Sequence, residues 1–203
     1  MVAKIYVEGA AQNSYLHRTH CRKSFQEFFT HTAGLEGKLP RIVPCGGRQR
    51  AYDAFVTAAR NPQSDGLPLL LVDSETAVQK GMTVWAHIKA RPGDNWDKPE
   101  GVKDDQAFLM VQVMESWFMA DRDTLKSFFG QGFRAQAIPK WPRLEDVPKQ
   151  SVYQALDHAT AACGPRRYAK GTMSFSLLAE ISPGEVEKAS PHAKALFERL
   201  RNL

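Results

Sequence analysis

The chain has 203 residues and a formal net charge of +5, with 27 Lys and Arg against 22 Asp and Glu. That length supports one good core, or one domain with a sizeable appendage. Hydrophobic residues at 43% and charged residues at 24% are ordinary for a soluble globular protein. No apolar run reaches the roughly 18 residues of a membrane-spanning helix, so no membrane partner is expected. The N-terminus reads without a signal peptide. Cys21, Cys45 and Cys163 form no CxxC pair, which speaks against a disulfide framework or a zinc knuckle and for a reducing cytoplasm. The basic balance suits a polyanion such as nucleic acid, and equally a plain solvated surface.

Residues Ala3–Val7 are predicted as a buried strand, because Ile5, Tyr6 and Val7 are β-formers and Gly9 punctuates the end. Asn13 or Ser14 can cap a helix carrying Leu16, Cys21, Phe25, Phe28 and Phe29, ended by Gly34 and Gly37. Arg41–Val43 is a short strand broken by Pro44 and the glycines after it. Tyr52, Phe55, Val56 and Ala59 form one face of a second helix, stopped at Asn61-Pro62. Leu67–Val72 is a third strand. The β-α-β-α-β alternation predicts a parallel sheet with right-handed crossovers.

Ala107–Val113 is the fourth strand candidate, and the polar, Pro- and Gly-rich stretch Ala90–Gln106 reads as an exposed loop. The C-terminal part is mainly helical, over Asp123–Phe129, Ser151–Ala162 and Phe175–Glu180. Ser182 and Glu185 form a capping-box pattern. Ser190 and Pro191 open a last helix whose apolar face is Ala193, Leu196, Phe197 and Leu200. Residues 138–149 hold three prolines in ten residues and read as a structured loop or linker. The expected organisation is an α/β core over residues 1–120 with helices on both faces. A helical portion, residues 121–203, packs on it within one compact domain.

Ligands of open parallel sheets bind outside the carboxyl ends of the strands. Glu8 follows the first strand, Asp73 and Glu75 the third, and Glu115 the fourth. The topology therefore brings carboxylates from three strands to one edge, where they repel unless a cation lies among them. Mg²⁺ or Mn²⁺ suits such hard oxygen donors. A pair of metals could activate water and stabilise the leaving oxygen of a phosphodiester. The plain alternative is solvated acids and helix caps: Asp73 as a cap, and Glu115 as an acid near the N-terminus of the helix through Trp117 and Phe118.

The segments IYVEG and LLLVDSE resemble the Toprim domain shared by topoisomerases, primases and OLD-type nucleases. Together with CGGR, VQVMESWFMAD, YAKG and ISPGEVEKASPH they resemble, over nearly the whole chain, the bacterial domain-of-unknown-function 4276 family, a Toprim-like group. The resemblance implies a Toprim-like fold, Mg²⁺ held by the acids, and catalytic roles for Glu8 and Lys170. It also implies an ATPase partner encoded nearby and a role in phage defence. Two departures stand out. Glu75 replaces the second Asp of the D-x-D pair, and Gln12 stands where many relatives carry a second acid.

Phosphodiester chemistry also needs positive charge. Gly46 and Gly47 can present backbone amides to phosphate, with Arg48 and Arg50 beside them; the plain reading is a Gly-rich turn with solvated arginines. Arg166, Arg167, Tyr168 and Lys170 share a loop; Arg166 and Arg167 are the other nucleic-acid-binding candidates, Lys170 as a bare feature reads as a solvated charge, and Lys149 is a lesser candidate beside it. His17, His20 and Cys21 lie at helical spacing but read as core or surface residues rather than a zinc site. Trp117, Phe118, Phe128 and Phe129 read as core, while Trp96 could stack on a base.

The leading expectation is a metal-dependent nuclease or phosphotransferase subunit acting on nucleic acid. The alternative is a catalytically silent Toprim-like binding or regulatory subunit. A receiver-like phosphoacceptor built on Asp73 and Lys170 is disfavoured, because only Glu8 follows the first strand.

Overall fold

In the computed structural model, residues 2–9, 15–61 and 65–203 are described. Gln12, the two cap candidates Asn13 and Ser14, and Pro62 lie outside them. Four strands form one all-parallel sheet: β1 (Ala3–Val7), β2 (Arg41–Pro44), β3 (Leu67–Asp73) and β4 (Ala107–Met110). Their spatial order is β2-β1-β3-β4. The chain leaves β1 to one side for β2, then crosses to the other side for β3. The carboxyl ends of β1 and β3 thus flank a topological switch point, where crevices open in parallel sheets.

Alternate residues of the strands feed two cores. Ala3, Ile5, Val7, Leu69, Leu71, Phe108 and Met110 face one layer; Tyr6, Leu70, Val72, Ala107 and Leu109 face the other. The second layer is completed by α2 (Arg48–Ala59) and α3 (Val84–Ala90), through Ala51, Phe55, Trp85 and Ile88. The first is completed by α1 (Tyr15–Thr30) and by the helices that follow β4. These are α4 (Met114–Phe118), α5 (Arg122–Phe129), α6 (Lys149–Thr160), α7 (Thr172–Glu180), α8 (Pro183–Ala189) and α9 (Pro191–Arg201). Burial on both faces explains why β3 is a continuous apolar run. Each of Leu69 to Val72 is fully buried, worth about 1.5–3 kcal/mol relative to exposure. No helix of the described residues is long and apolar enough to cross a membrane.

Three local expectations change. The fourth strand ends at Met110 rather than Val113. Val113 already stands at the head of α4, and the Gln112 carbonyl accepts from the Glu75 amide at 2.7 Å instead of continuing the ladder. The stretch Ala90–Gln106 is irregular and mostly exposed, as expected, but Trp96 within it is pinned. Trp96 is 4% exposed, stacked on Tyr52 at a ring distance of 4.5 Å, and so is not free to stack on a base. Ser182 does not cap α8 with its side chain. Its amide instead donates to Asp121 Oδ2 at 2.9 Å, while Asp121 Oδ1 accepts from Thr124 N, so one carboxylate ties the starts of α5 and α8. Ser190 caps α9 as expected, its hydroxyl accepting from the Ala193 amide at 3.1 Å.

Candidate functional site

At the switch point lies a pocket of about 480 Å³. Glu8, Asp73, Glu115 and Lys170 line it, with glycines 9, 46 and 47 on one rim and Met110, Met114 and Phe175 as an apolar wall. The glycine rim follows from backbone approach. Gly9 donates to the Gly46 carbonyl at 3.0 Å, and a Cβ on Gly9 would stand 3.1 Å from Cys21 Sγ and 3.2 Å from Phe175 Cζ. Any side chain at Gly9 would crowd the closest packing of α1 and α7.

The acids are delivered by the strand ends. Glu8 directly follows β1, and its amide donates to the Leu71 carbonyl at 3.3 Å. Asp73 closes β3, and its Oδ1 accepts from the Met114 amide at 2.8 Å, at the start of α4. Glu75 turns through the left-handed region at φ 67°, and its carboxylate pairs with Lys149 rather than lining the pocket. Glu115 is 1% exposed. It accepts from the Tyr168 hydroxyl at 2.9 Å and from Ser174 Oγ at 3.4 Å.

The clustered charge shows in the titration of the acids. Burial, then the carboxylates of Glu8, Glu115 and Glu75, push Asp73 well above the ordinary carboxylate range, with Lys170 opposing them. Glu8 is also raised, first by burial, although Arg48 pulls it down. Lys170 moves the other way. Burial disfavours its charge, but Glu115, the Tyr153 hydrogen bond and Asp73 outweigh burial and hold it above its usual value.

The basic candidates separate. Arg48 sits between acids: Nη1 donates to Glu8 Oε2 at 3.2 Å and to the Asp73 carbonyl, while Nε and Nη2 engage Asp94 at 2.7–3.0 Å. Its guanidinium is thus held by protein acceptors and lies 5.1 Å from the Trp96 ring. Arg50 is exposed on α2 and does not line the pocket. Arg166 and Arg167 are exposed outside it, and Arg167 pairs with Asp157 at 2.6 Å. Lys170, from the same loop, does reach the pocket. The C-terminal loop therefore meets the acidic edge through one cation.

Among the described residues, no three His, Cys, Asp or Glu side chains are grouped so as to hold a metal ion as they stand. Glu8 and Glu75 are instead turned onto Arg48 and Lys149. The donor chemistry still fits a hard divalent cation, since the acids are oxygen ligands whose mutual repulsion such an ion relieves. A zinc trio on α1 does not fit. The Cys21 thiol is buried and pushed up to about 12 by that burial, while His17 and His20 approach Thr172 and Ser176 at 3.5 and 3.4 Å.

Sequence reasoning did not single out Asp94, Tyr153, Tyr168 or Ser174. Asp94 lies in a Pro-Gly-Asp run that looks like a solvated turn. Tyr168 was legible only as part of the YAKG segment beside Lys170.

The family described as domain of unknown function (DUF4276) matches residues 7–201. No curated protein matches the chain, and no solved structure does.

Proposed function

Since the chain belongs to the DUF4276 family over residues 7–201, whose description assigns no activity, we propose a function from the pocket itself: a Mg²⁺- or Mn²⁺-dependent nuclease or phosphotransferase subunit acting on nucleic acid. The observation that supports it is the gathering of Glu8, Asp73 and Glu115 around one pocket at the switch point, with Glu75 close enough to push Asp73 up. Glu8, Asp73 and Glu115 of the pocket would hold the ion, joined by Glu75 once it leaves Lys149, and the ion would supply Lewis-acid activation of water and charge stabilisation at the phosphorus centre. Lys170 offers an ammonium in the same pocket, suited to a phosphate oxygen. A Toprim-like relationship, an ATPase partner and a role in phage defence belong to this reading through the resemblance. Its test is cleavage of plasmid and single-stranded DNA and of RNA with Mg²⁺ or Mn²⁺. Activity lost in Asp73→Ala supports it; cleavage unchanged in that variant overturns it.

A second reading has its own support. Arg48 on Glu8 and Lys149 on Glu75 already neutralise two of the acids from within the protein. On that basis the chain is a binding or regulatory subunit that keeps the pocket without turnover. Nucleic-acid or protein binding that is independent of divalent metal, with no cleavage by wild type, favours it.

A further inference from the structure

We infer that Tyr168 and Tyr153 are positioning residues that set Lys170 over the carboxylate pocket, Tyr168 by tying the loop of Lys170 to Glu115 and Tyr153 by holding its ammonium group. This rests on the reading of the pocket as a phosphodiester site.

The connection between α6 and α7 carries Lys170, and glycines with positive φ stand at 164 and 171. Such a segment holds one shape only if something outside it fixes it. Four contacts do so. The Tyr168 amide donates to Thr160 Oγ1 at 3.0 Å, anchoring the loop to the end of α6. The Tyr168 hydroxyl reaches Glu115 Oε1 at 2.9 Å and Ser174 Oγ at 2.7 Å, anchoring it to α4 and α7. The Gly171 amide donates to the same Ser174 hydroxyl at 3.2 Å, fixing the residue after Lys170. Lys170 is thus bracketed on both sides.

Its own side chain is then steered from α6. Nζ donates to the Tyr153 hydroxyl at 2.7 Å and lies 4.8 Å from the centre of that ring. A free lysine side chain samples many rotamers; this one is held by a hydrogen bond and a cation–π contact on a single residue. The arrangement also gives Glu115 a task apart from metal binding. Buried at the head of α4, it accepts from the Tyr168 hydroxyl, which in turn accepts from Ser174 Oγ, and so latches the loop.

The test combines a readout of Lys170 itself with one of turnover. Acylation of lysines by N-hydroxysuccinimidyl acetate is followed by mass spectrometry, with the exposed Lys126 as internal reference. Tyr168→Phe and Tyr153→Phe keep the ring and remove the hydroxyl, and each is expected to raise Lys170 acylation relative to Lys126 by about tenfold, the scale of one hydrogen bond to a charged group. In single-turnover cleavage each should lower the rate by about tenfold with KM unchanged. Neither should lower it further on top of Lys170→Ala. Unchanged Lys170 acylation in both variants overturns the inference, whatever the cleavage result. Raised acylation together with no cleavage by wild type, on any substrate or metal, supports the positioning and counts against the nuclease reading instead.

Discussion

The Arg48 guanidinium donates to Glu8 at 3.2 Å while its other edge is held by Asp94, so one buried cation joins the acidic pocket to the Ala90–Gln106 stretch. Arg48 is an internal counter-ion, and a divalent metal must compete with it for Glu8. Arg48→Met leaves the partly buried Glu8 carboxylate without its cation, while Asp94 keeps Arg91 at 2.6 Å, and this costs about 1–3 kcal/mol in metal-free chemical denaturation. Mg²⁺ should then raise the melting temperature more in the variant than in wild type, because Glu8 is released to the ion. Equal shifts in the two proteins would show that Arg48 and metal do not compete.

The pH dependence of stability isolates Asp73. Its folded-state pKa is raised, first by burial and then by neighbouring carboxylates. Below the ordinary carboxylate range both folded and unfolded chains keep the proton, and the site costs nothing. As pH rises through that range the unfolded chain ionises first, so stability falls until the folded pKa is passed. Asp73→Asn removes this loss while keeping an oxygen to accept from the Met114 amide. In metal-free urea titrations the variant should be more stable than wild type at neutral pH, with the gap closing as pH falls into the ordinary carboxylate range. A gap that does not change with pH would count against the clustered-charge reading. Stabilisation by added Mg²⁺ should be lost in the same variant.

The two arginines beside Lys170 should differ in their salt dependence. Arg167 is already neutralised by Asp157, whereas Arg166 is exposed beside it. If nucleic acid crosses this loop, Arg166→Ala lowers the slope of log K against log salt by about 1, the value for one phosphate contact. Arg167→Ala changes the slope less. Fluorescence anisotropy at several salt concentrations checks both, and identical slopes in all three proteins would remove the loop from the binding face.

Trp117 supports the acidic edge from beneath. It is fully buried and stacks on Phe28 at a ring distance of 5.4 Å, and it lies on the same short helix as Glu115. Trp117→Ala should destabilise the fold by about 3–5 kcal/mol. A loss under 1 kcal/mol by urea denaturation would mean that α4 is held mainly from elsewhere.

The framework was legible in the sequence because its signals are local. Buried parallel strands are continuous apolar runs, so β1 and β3 stand out, and the rule that ligands gather at strand ends directs attention to Glu8 and Asp73. What escaped is set by contacts remote in the chain. Trp96 looked exposed because its neighbours are polar, yet Tyr52 and Arg48, both on α2, bury it. Arg48 looked like a phosphate fork because nothing in a Gly-Gly-Arg run reveals Asp94, 46 residues on. Glu115 read as a ligand or a cap, and its hydroxyl partners lie 53 and 59 residues away. The helix Val84–Ala90 was missed because seven residues carry too little periodicity to register.

The first hydrophobic core runs from Ala3 through Phe28 and Phe29 to Phe197 and Leu200. Phe197 meets Phe28 and Phe29 at ring distances of 5.9 and 6.3 Å, so the rings laid down by α1, already stacked on by Trp117 of α4, are fully covered only once α9 is in place. A nascent chain leaving the ribosome therefore carries part of this aromatic surface uncovered until nearly two hundred residues have been made. Premature stops anywhere in α6 to α9 should yield not a smaller folded α/β unit but a sticky, protease-sensitive species that depends on chaperones.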